Sequence, residues 1–277
     1  MTGYSVSGGR LLADGAPVRQ IPSPNVGGPC RPRFLVVHFT AGGEAGAIET
    51  LTTPGGVSAH FVVGEGGTIT QLVPLDRVAW HAGKSSWRDV VSSLNPVSIG
   101  IEIANLGDAI DGEPGRYTAY GRPIPDDRVL VARHKNGGGP RPWHTYPPAQ
   151  VEAVVALARA LHSTFGFEDI VGHDDIAPSR KVDPGPAWDM TAFKAAVLGA
   201  STPPALAAGL AVPPDRSTMQ LQRSLNVLGF GPLDVDGAAG PATRAAVARF
   251  QAAHGLDSDG VAGPKTWVAI AAAIGVA

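Results

Sequence analysis

The sequence predicts an α/β protein: a central mixed β-sheet flanked by helices, followed by a second, smaller three-helix domain. Three observations carry this. Short runs of β-branched and aromatic residues alternate with amphipathic helical stretches as far as residue 198. An Ala/Pro-rich, nearly uncharged segment over 199–215 then breaks the pattern and reads as a linker, and helical periodicity with Gly-rich turns fills 216–277. At 277 residues the chain is long for one ordinary domain and sufficient for a mid-sized domain plus a small one.

Residues 1–33 read as an N-terminal extension to a main domain over 34–198. They lack the basic start, apolar core and small-residue cleavage site of a secretory signal, so Sec export is not expected. Cys30 is the single cysteine, which excludes an internal disulfide and a cysteine-based metal site and reads as an ordinary thiol in a loop. Phe34-Leu-Val-Val-His-Phe39 is a short apolar run that fits a buried strand, with His38 on the face of Phe34 and Val36. His60-Phe-Val-Val63 and Thr68-Ile-Thr-Gln-Leu-Val73 flank Gly64-Glu-Gly-Gly67, the pattern of a β-hairpin. Ser98-Ile-Gly-Ile-Glu-Ile-Ala104 alternates cleanly, placing Ile99, Ile101 and Ile103 on one face and Glu102 on the other beside Gly100 and Ala104. Asp108 to Pro148, rich in Gly, Pro and basic residues, is too long for a plain connector and is expected to be a lid or a substrate-facing insertion. Val151, Val154, Val155, Ala158 and Leu161 make one helical stripe that should cover the sheet.

In the smaller domain Leu221, Leu225 and Leu228 share a helical face. Asp236-Gly-Ala-Ala-Gly-Pro-Ala-Thr243 recurs 23 residues later as Asp259-Gly-Val-Ala-Gly-Pro-Lys-Thr266. In each copy Pro occupies a tolerated first-turn position, and the helices it starts offer Val247 and Phe250, or Trp267, Ile270 and Ile274, to a common core.

Composition excludes two classes of partner. A net charge of −2 with scattered basic residues leaves no electrostatic footprint for nucleic acid. No stretch approaches the roughly 18 uninterrupted apolar residues of a membrane span. A monomer is the expected state.

Most of the eight histidines must be packing or surface residues, and His134, His144, His162 and His254 match no defensible ligand position. Three residues stand out together: His38 at the end of its strand, His173 in Val171-Gly-His-Asp174, and Asp183 in Arg180-Lys-Val-Asp-Pro-Gly185. Two imidazoles and a carboxylate are a zinc set with one position open for water, whose pKa falls to about 7 on the metal. Such chemistry also needs a base and a cation that meets charge developing on the attacked carbonyl. Glu102 and Lys181 fit these needs.

The segments Val36-Val-His-Phe-Thr-Ala41, Ser58-Ala-His-Phe61, Ala79-Trp-His-Ala-Gly83, Ser98 to Asn105 and Gly172 to Gly185 carry a resemblance spanning about 150 residues. They are similar to the N-acetylmuramoyl-L-alanine amidase family related to phage lysozyme-type amidases and peptidoglycan recognition proteins. The resemblance implies Zn2+ on His38, His173 and Asp183, Glu102 as general base and Lys181 as transition-state stabiliser. It also implies His60, Trp80, His81 and Asn105 as substrate-lining residues, and peptidoglycan or muropeptides as the substrate. Ala59 stands where relatives with a Cys ligand carry Tyr, so that role is absent here. Residues 216–277 resemble the small three-helix peptidoglycan-binding domain through Leu221-Gln222, the two repeated turns and Phe250-Gln251. Together these imply a wall-degrading hydrolase, made in the cytoplasm and released to the cell wall or periplasm as a phage or prophage endolysin.

Two other functions share parts of this pattern. A noncatalytic wall sensor of the same fold would have lost a zinc ligand, and all three are present. A zinc D-Ala-D-Ala carboxypeptidase would follow Ser-x-His by Asp seven residues later; Ser58-Ala-His60 begins that way, but Gly67 occupies the position.

Overall fold

The structure, a computed structural model, describes residues 3–108, 118–119, 122–125, 128–198, 218–234 and 236–274. Before the first helix lie β1 (Tyr4–Ser7), β2 (Arg10–Ala13), β3 (Ala16–Pro17), β4 (Arg19–Gln20), β5 (Val26–Pro29) and β6 (Phe34–Phe39). Helix α1 (Glu44–Thr52) leads to β7 (Phe61–Val63), β8 (Ile69–Gln71), β9 (Arg77–Ala79) and β10 (Ser98–Ile103). Two ribbons follow, β11 (Thr118–Ala119) with β12 (Arg122–Pro123) and β13 (Val129–Arg133) with β14 (Pro140–His144). The domain closes with α2 (Pro148–Phe165), β15 (Asp169–Gly172), α3 (His173–Ile176) and α4 (Met190–Leu198).

The central sheet has six strands in the order β15-β6-β10-β7-β8-β4. Its first four run parallel, β8 returns antiparallel to β7, and β4 is parallel to β8, so the sheet is mixed. Alternation decides its faces. Leu35, Val37, Ile99, Ile101, Ile103 and Ile170 point into one core with Val154, Leu157, Ala158 and Leu161 of α2. The opposite alternation sends Phe34, Val36 and Val171 to a second cluster with Ala82, Leu94 and Ile176. Each aliphatic side chain withdrawn from water in this way contributes about 1.5–3 kcal/mol before entropy is counted.

Residues 1–33 are more than an extension. Leu11 is fully buried in the main core, β4 pairs with β8, and β5 pairs with β9. Strands this short carry too little periodicity to be read from sequence. Cys30 lies at the end of this segment, buried, with its thiol facing the carbonyls of Asn95 and Ser98. Burial pushes its pKa up to about 11. The native protein is therefore expected to resist a thiol reagent at pH 8 and to react once denatured; rapid stoichiometric labelling of the folded chain would contradict this.

In the C-terminal region the helices Thr218–Val227, Pro241–Ala253 and Pro264–Ile274 enclose Leu221, Leu225, Val247, Phe250, Trp267 and Ile270, with Leu228 partly buried against them. The expected linker and the side chain of Ile274 lie outside the described residues. The repeat has a hydrogen-bonding purpose. The Gln222 amide donates to Asp236 Oδ1, Ala238 O and Thr243 Oγ1, and its oxygen accepts from Gly237 N. Gln251 makes the same set with Asp259, Val261, Thr266 and Gly260. Both Asp-Gly turns are thus closed by a buried glutamine.

Candidate active site

Parallel strands β15, β6 and β10 are neighbours, so their carboxyl ends open on one edge of the sheet, where open α/β sheets place ligands. His38 is the penultimate residue of β6, Glu102 the penultimate residue of β10, and His173 directly follows β15. Glu102 is the register partner of His38, so the two side chains leave the same face, opposite α2. Asp183 is brought in by the loop after α3, where the Asp174 amide donates to the Asp183 carbonyl at 2.8 Å. Gly172 makes this crossing possible: a Cβ there would lie 2.7 Å from Pro184 Cδ.

His38 Nδ1, His173 Nδ1 and Asp183 Oδ2 form a triangle with edges of 2.9, 3.0 and 3.0 Å. All three residues are buried. His173 Nε2 lies 3.2 Å from the Ala82 carbonyl, which can only accept, so in the neutral ring the proton sits on Nε2 and Nδ1 presents a lone pair. Burial, and then the neighbouring His173, lower the His38 pKa to about 4, keeping that ring neutral. Against the raising effect of burial, the two neighbouring imidazoles hold the Asp183 carboxylate well below the ordinary range. Three lone-pair donors therefore converge on one point, an arrangement that suits a cation. Ligand atoms about 2.0–2.1 Å from tetrahedral zinc would be spaced by about 3.3 Å, so the donors fit after moving apart by a few tenths of an ångström.

Glu102 Oε2 is buried without a hydrogen-bond partner. Burial, then the Asp183 carboxylate, push the Glu102 pKa well above the ordinary carboxylate range, and Lys181 acts in the opposite direction. Lys181 also bears electrostatically on His38. Its backbone N–H and that of Arg180 both donate to Ala177 O, forming the turn that carries Lys181 toward Asp183.

The four residues expected to line the substrate divide. Trp80 is 43% exposed, its ring lying over Gly27. His60 is instead fully buried, with Nδ1 accepting from Gly100 N and Nε2 facing Arg77 O, so neither nitrogen is left for a ligand. Asn105 is likewise consumed: its amide donates to His144 O and Thr145 O, and its oxygen accepts from Gly107 N. His81 is buried behind His38, with Nδ1 3.0 Å from His38 Nε2. In the structure these three side chains engage the scaffold around the site. A Cβ at Gly100 would lie 2.5 Å from His81 Cγ. Gly100→Ala is therefore expected to displace this ring and cost on the order of 1–3 kcal/mol in thermal or urea unfolding. Unchanged stability would show that the contact yields freely.

Sequence reasoning missed the support around Asp183. The described part of the 108–148 insertion includes the β13–β14 hairpin, and it holds the segment that carries Asp183. His134 Nε2 faces Asp174 Oδ2 at 3.0 Å, the Asn136 amide donates to Asp174 O, and Tyr146 donates its hydroxyl to Pro184 O. The Tyr146 phenol is pushed well above its usual range by burial and then by Asp183, Asp174 and Glu102, so it stands close to the site.

A mixed α/β sheet with converging imidazole and carboxylate donors, and a buried carboxylate oxygen without a partner beside them, defines a candidate centre able to take a metal ion. Comparison with known proteins narrows the class. The profile described as N-acetylmuramoyl-L-alanine amidase matches residues 28–186, and that described as putative peptidoglycan binding domain matches residues 215–270. N-acetylmuramoyl-L-alanine amidase AmiD of Escherichia coli is 33% identical over 167 residues, covering 57% of this chain and 50% of its own length. The chain thus spans half the length of that relative. 1,6-Anhydro-N-acetylmuramyl-L-alanine amidase AmpD of Citrobacter freundii is 31% identical over 219 residues, covering 69% of this chain and 97% of AmpD. N-acetylmuramoyl-L-alanine amidase XlyA of Bacillus subtilis is 28% identical over 269 residues, covering 81% of this chain and 86% of its own. The chain belongs to the N-acetylmuramoyl-L-alanine amidase family.

Proposed function

We propose that the chain hydrolyses the amide bond between N-acetylmuramic acid and L-alanine of peptidoglycan, with zinc held by His38, His173 and Asp183. The observation that carries this reading is the convergence of three lone-pair donors beside a buried carboxylate oxygen without a partner, in a chain of this family. A zinc ion held there would supply Lewis acidity for water and for the carbonyl to be attacked. Glu102 accepts the proton of the attacking water and returns it to the departing alanine nitrogen. For that work it must be a carboxylate, and a cation on the donor triangle would favour that form. Lys181 offsets the negative charge that develops on the carbonyl oxygen. The exposed indole of Trp80 is an apolar wall for the substrate.

Incubation with a soluble N-acetylmuramoyl dipeptide tests this directly. Free N-acetylmuramic acid and a new alanine α-amino group should appear together, and dipeptide cleavage with the lactyl amide intact would refute it.

The C-terminal helices are proposed to hold the enzyme on the wall, and the setting is proposed to be that of a phage or prophage endolysin released to its substrate. Among the described residues no helix is long and apolar enough to cross a membrane. The full chain should cosediment with purified sacculi and a chain ending at residue 198 should not. Equal sedimentation of the two would assign the repeat another purpose.

A further inference from the structure

His81 and Ala82 are adjacent in sequence, and between them they meet the outer nitrogens of both imidazoles in the donor triangle. His81 Nδ1 lies 3.0 Å from His38 Nε2, and Ala82 O lies 3.2 Å from His173 Nε2. The pair is itself pinned, because the amides of both residues donate to Asn95 Oδ1, at 3.1 and 2.8 Å. Ala82 O also accepts from Arg180 Nη2 at 3.1 Å.

The directions of these hydrogen bonds follow from one fixed end. Ser98 donates its hydroxyl to Leu94 O at 2.7 Å, since a carbonyl only accepts. Ser98 Oγ is therefore the acceptor for His81 Nε2, 3.2 Å away, which puts the His81 proton on Nε2. His81 Nδ1 is then a lone pair and must accept from His38 Nε2–H. That leaves His38 Nδ1 as a lone pair facing His173 and Asp183. Every donor in the series has one acceptor, and neither ring carries a charge. The His81 ring lies nearly perpendicular to His38, at 82°, and packs flush against Gly100, the only kind of residue that leaves room for it.

We infer that His81 is a positioning residue for the metal site: it sets the tautomer and orientation of His38, within a His81-Ala82 clip that Asn95 holds against both imidazole ligands. Partners of a metal-ligating imidazole are commonly carboxylates or carbonyls, and losing one costs about 10–100-fold in metal affinity. A neutral imidazole in this position fixes the ring without adding negative charge behind it. The inference rests on the proposal that His38, His173 and Asp183 hold zinc.

The test measures zinc affinity by chelator competition for the full chain, His81→Phe and His81→Asn, together with the melting temperature of each metal-free protein. Phenylalanine keeps the ring volume without the acceptor, whereas the Asn side-chain oxygen can take the place of Nδ1. His81→Phe should bind zinc about 10–100-fold more weakly, with much of the loss recovered in His81→Asn and metal-free melting changed far less than affinity. Equal affinity of His81→Phe and the parent would overturn the inference, and failure of the parent to bind zinc would instead overturn the metal assignment. Should His81→Phe not fold, histidine 15N spectra of the zinc-loaded parent decide. Protons on Nε2 of both His38 and His81 are expected, and a His81 proton on Nδ1 would overturn the inference.

Discussion

Replacing His38, His173 or Asp183 by alanine is expected to release zinc and to lower turnover by about 10³-fold or more, because the water-activating chemistry goes with the metal. Each residue supplies one corner of a triangle whose edges are 2.9–3.0 Å, and two remaining donors leave an incomplete structural set for the ion. Chelation of the full chain should have the same effect, and added zinc should reverse chelation but not the substitutions. Zinc content and rate measured on the same samples check this. A zinc-free preparation with undiminished turnover would remove the metal from the mechanism.

Glu102→Gln separates metal binding from proton transfer. Glu102 lies beside His38 in the sheet register and is not one of the converging donors, so the variant should retain zinc. Glutamine cannot accept and return a proton, and the expected loss of turnover is about 10²–10⁴-fold. A stability change of opposite sign should accompany it. Folding raises the Glu102 pKa, so the folded state binds this proton more tightly than the unfolded state, and ionisation works against the fold as pH climbs from the unfolded value toward the folded one. Glutamine has no such proton to lose. The metal-free Glu102→Gln protein should therefore melt above the metal-free parent at neutral pH, with the difference shrinking as pH falls toward about 4. Near-normal turnover in this variant would exclude Glu102 as the base.

The part of this site that was legible in the sequence is the part written in local periodicity. Alternation in Ser98–Ala104 separates Ile99, Ile101 and Ile103 from Glu102, and the structure places those isoleucines in the core and Glu102 on the other face. The same reasoning puts His38 opposite Leu35 and Val37. What was not legible depends on partners distant along the chain. His60 looks free to bind a ligand until Gly100 N, 40 residues on, is seen to occupy its Nδ1. Asn105 looks like a cleft residue until the carbonyls of His144 and Thr145 reach its amide. His81 shares its motif with the exposed Trp80, yet the adjacent side chains point to opposite environments, one to solvent and one to His38. The support from β13–β14 was hidden for the same reason, since the contact of His134 with Asp174 spans 40 residues of sequence.

The central claim is that this centre cuts one particular bond of the wall. Mass spectrometry of the products released from purified sacculi by the full chain tests it most directly. The account requires stem peptides with a free L-alanine amino terminus and glycan strands of unchanged length carrying bare lactyl carboxylates, with no such products from Glu102→Gln. Shortened glycan strands, or stem peptides cut between amino acids while still joined to N-acetylmuramic acid, would contradict it.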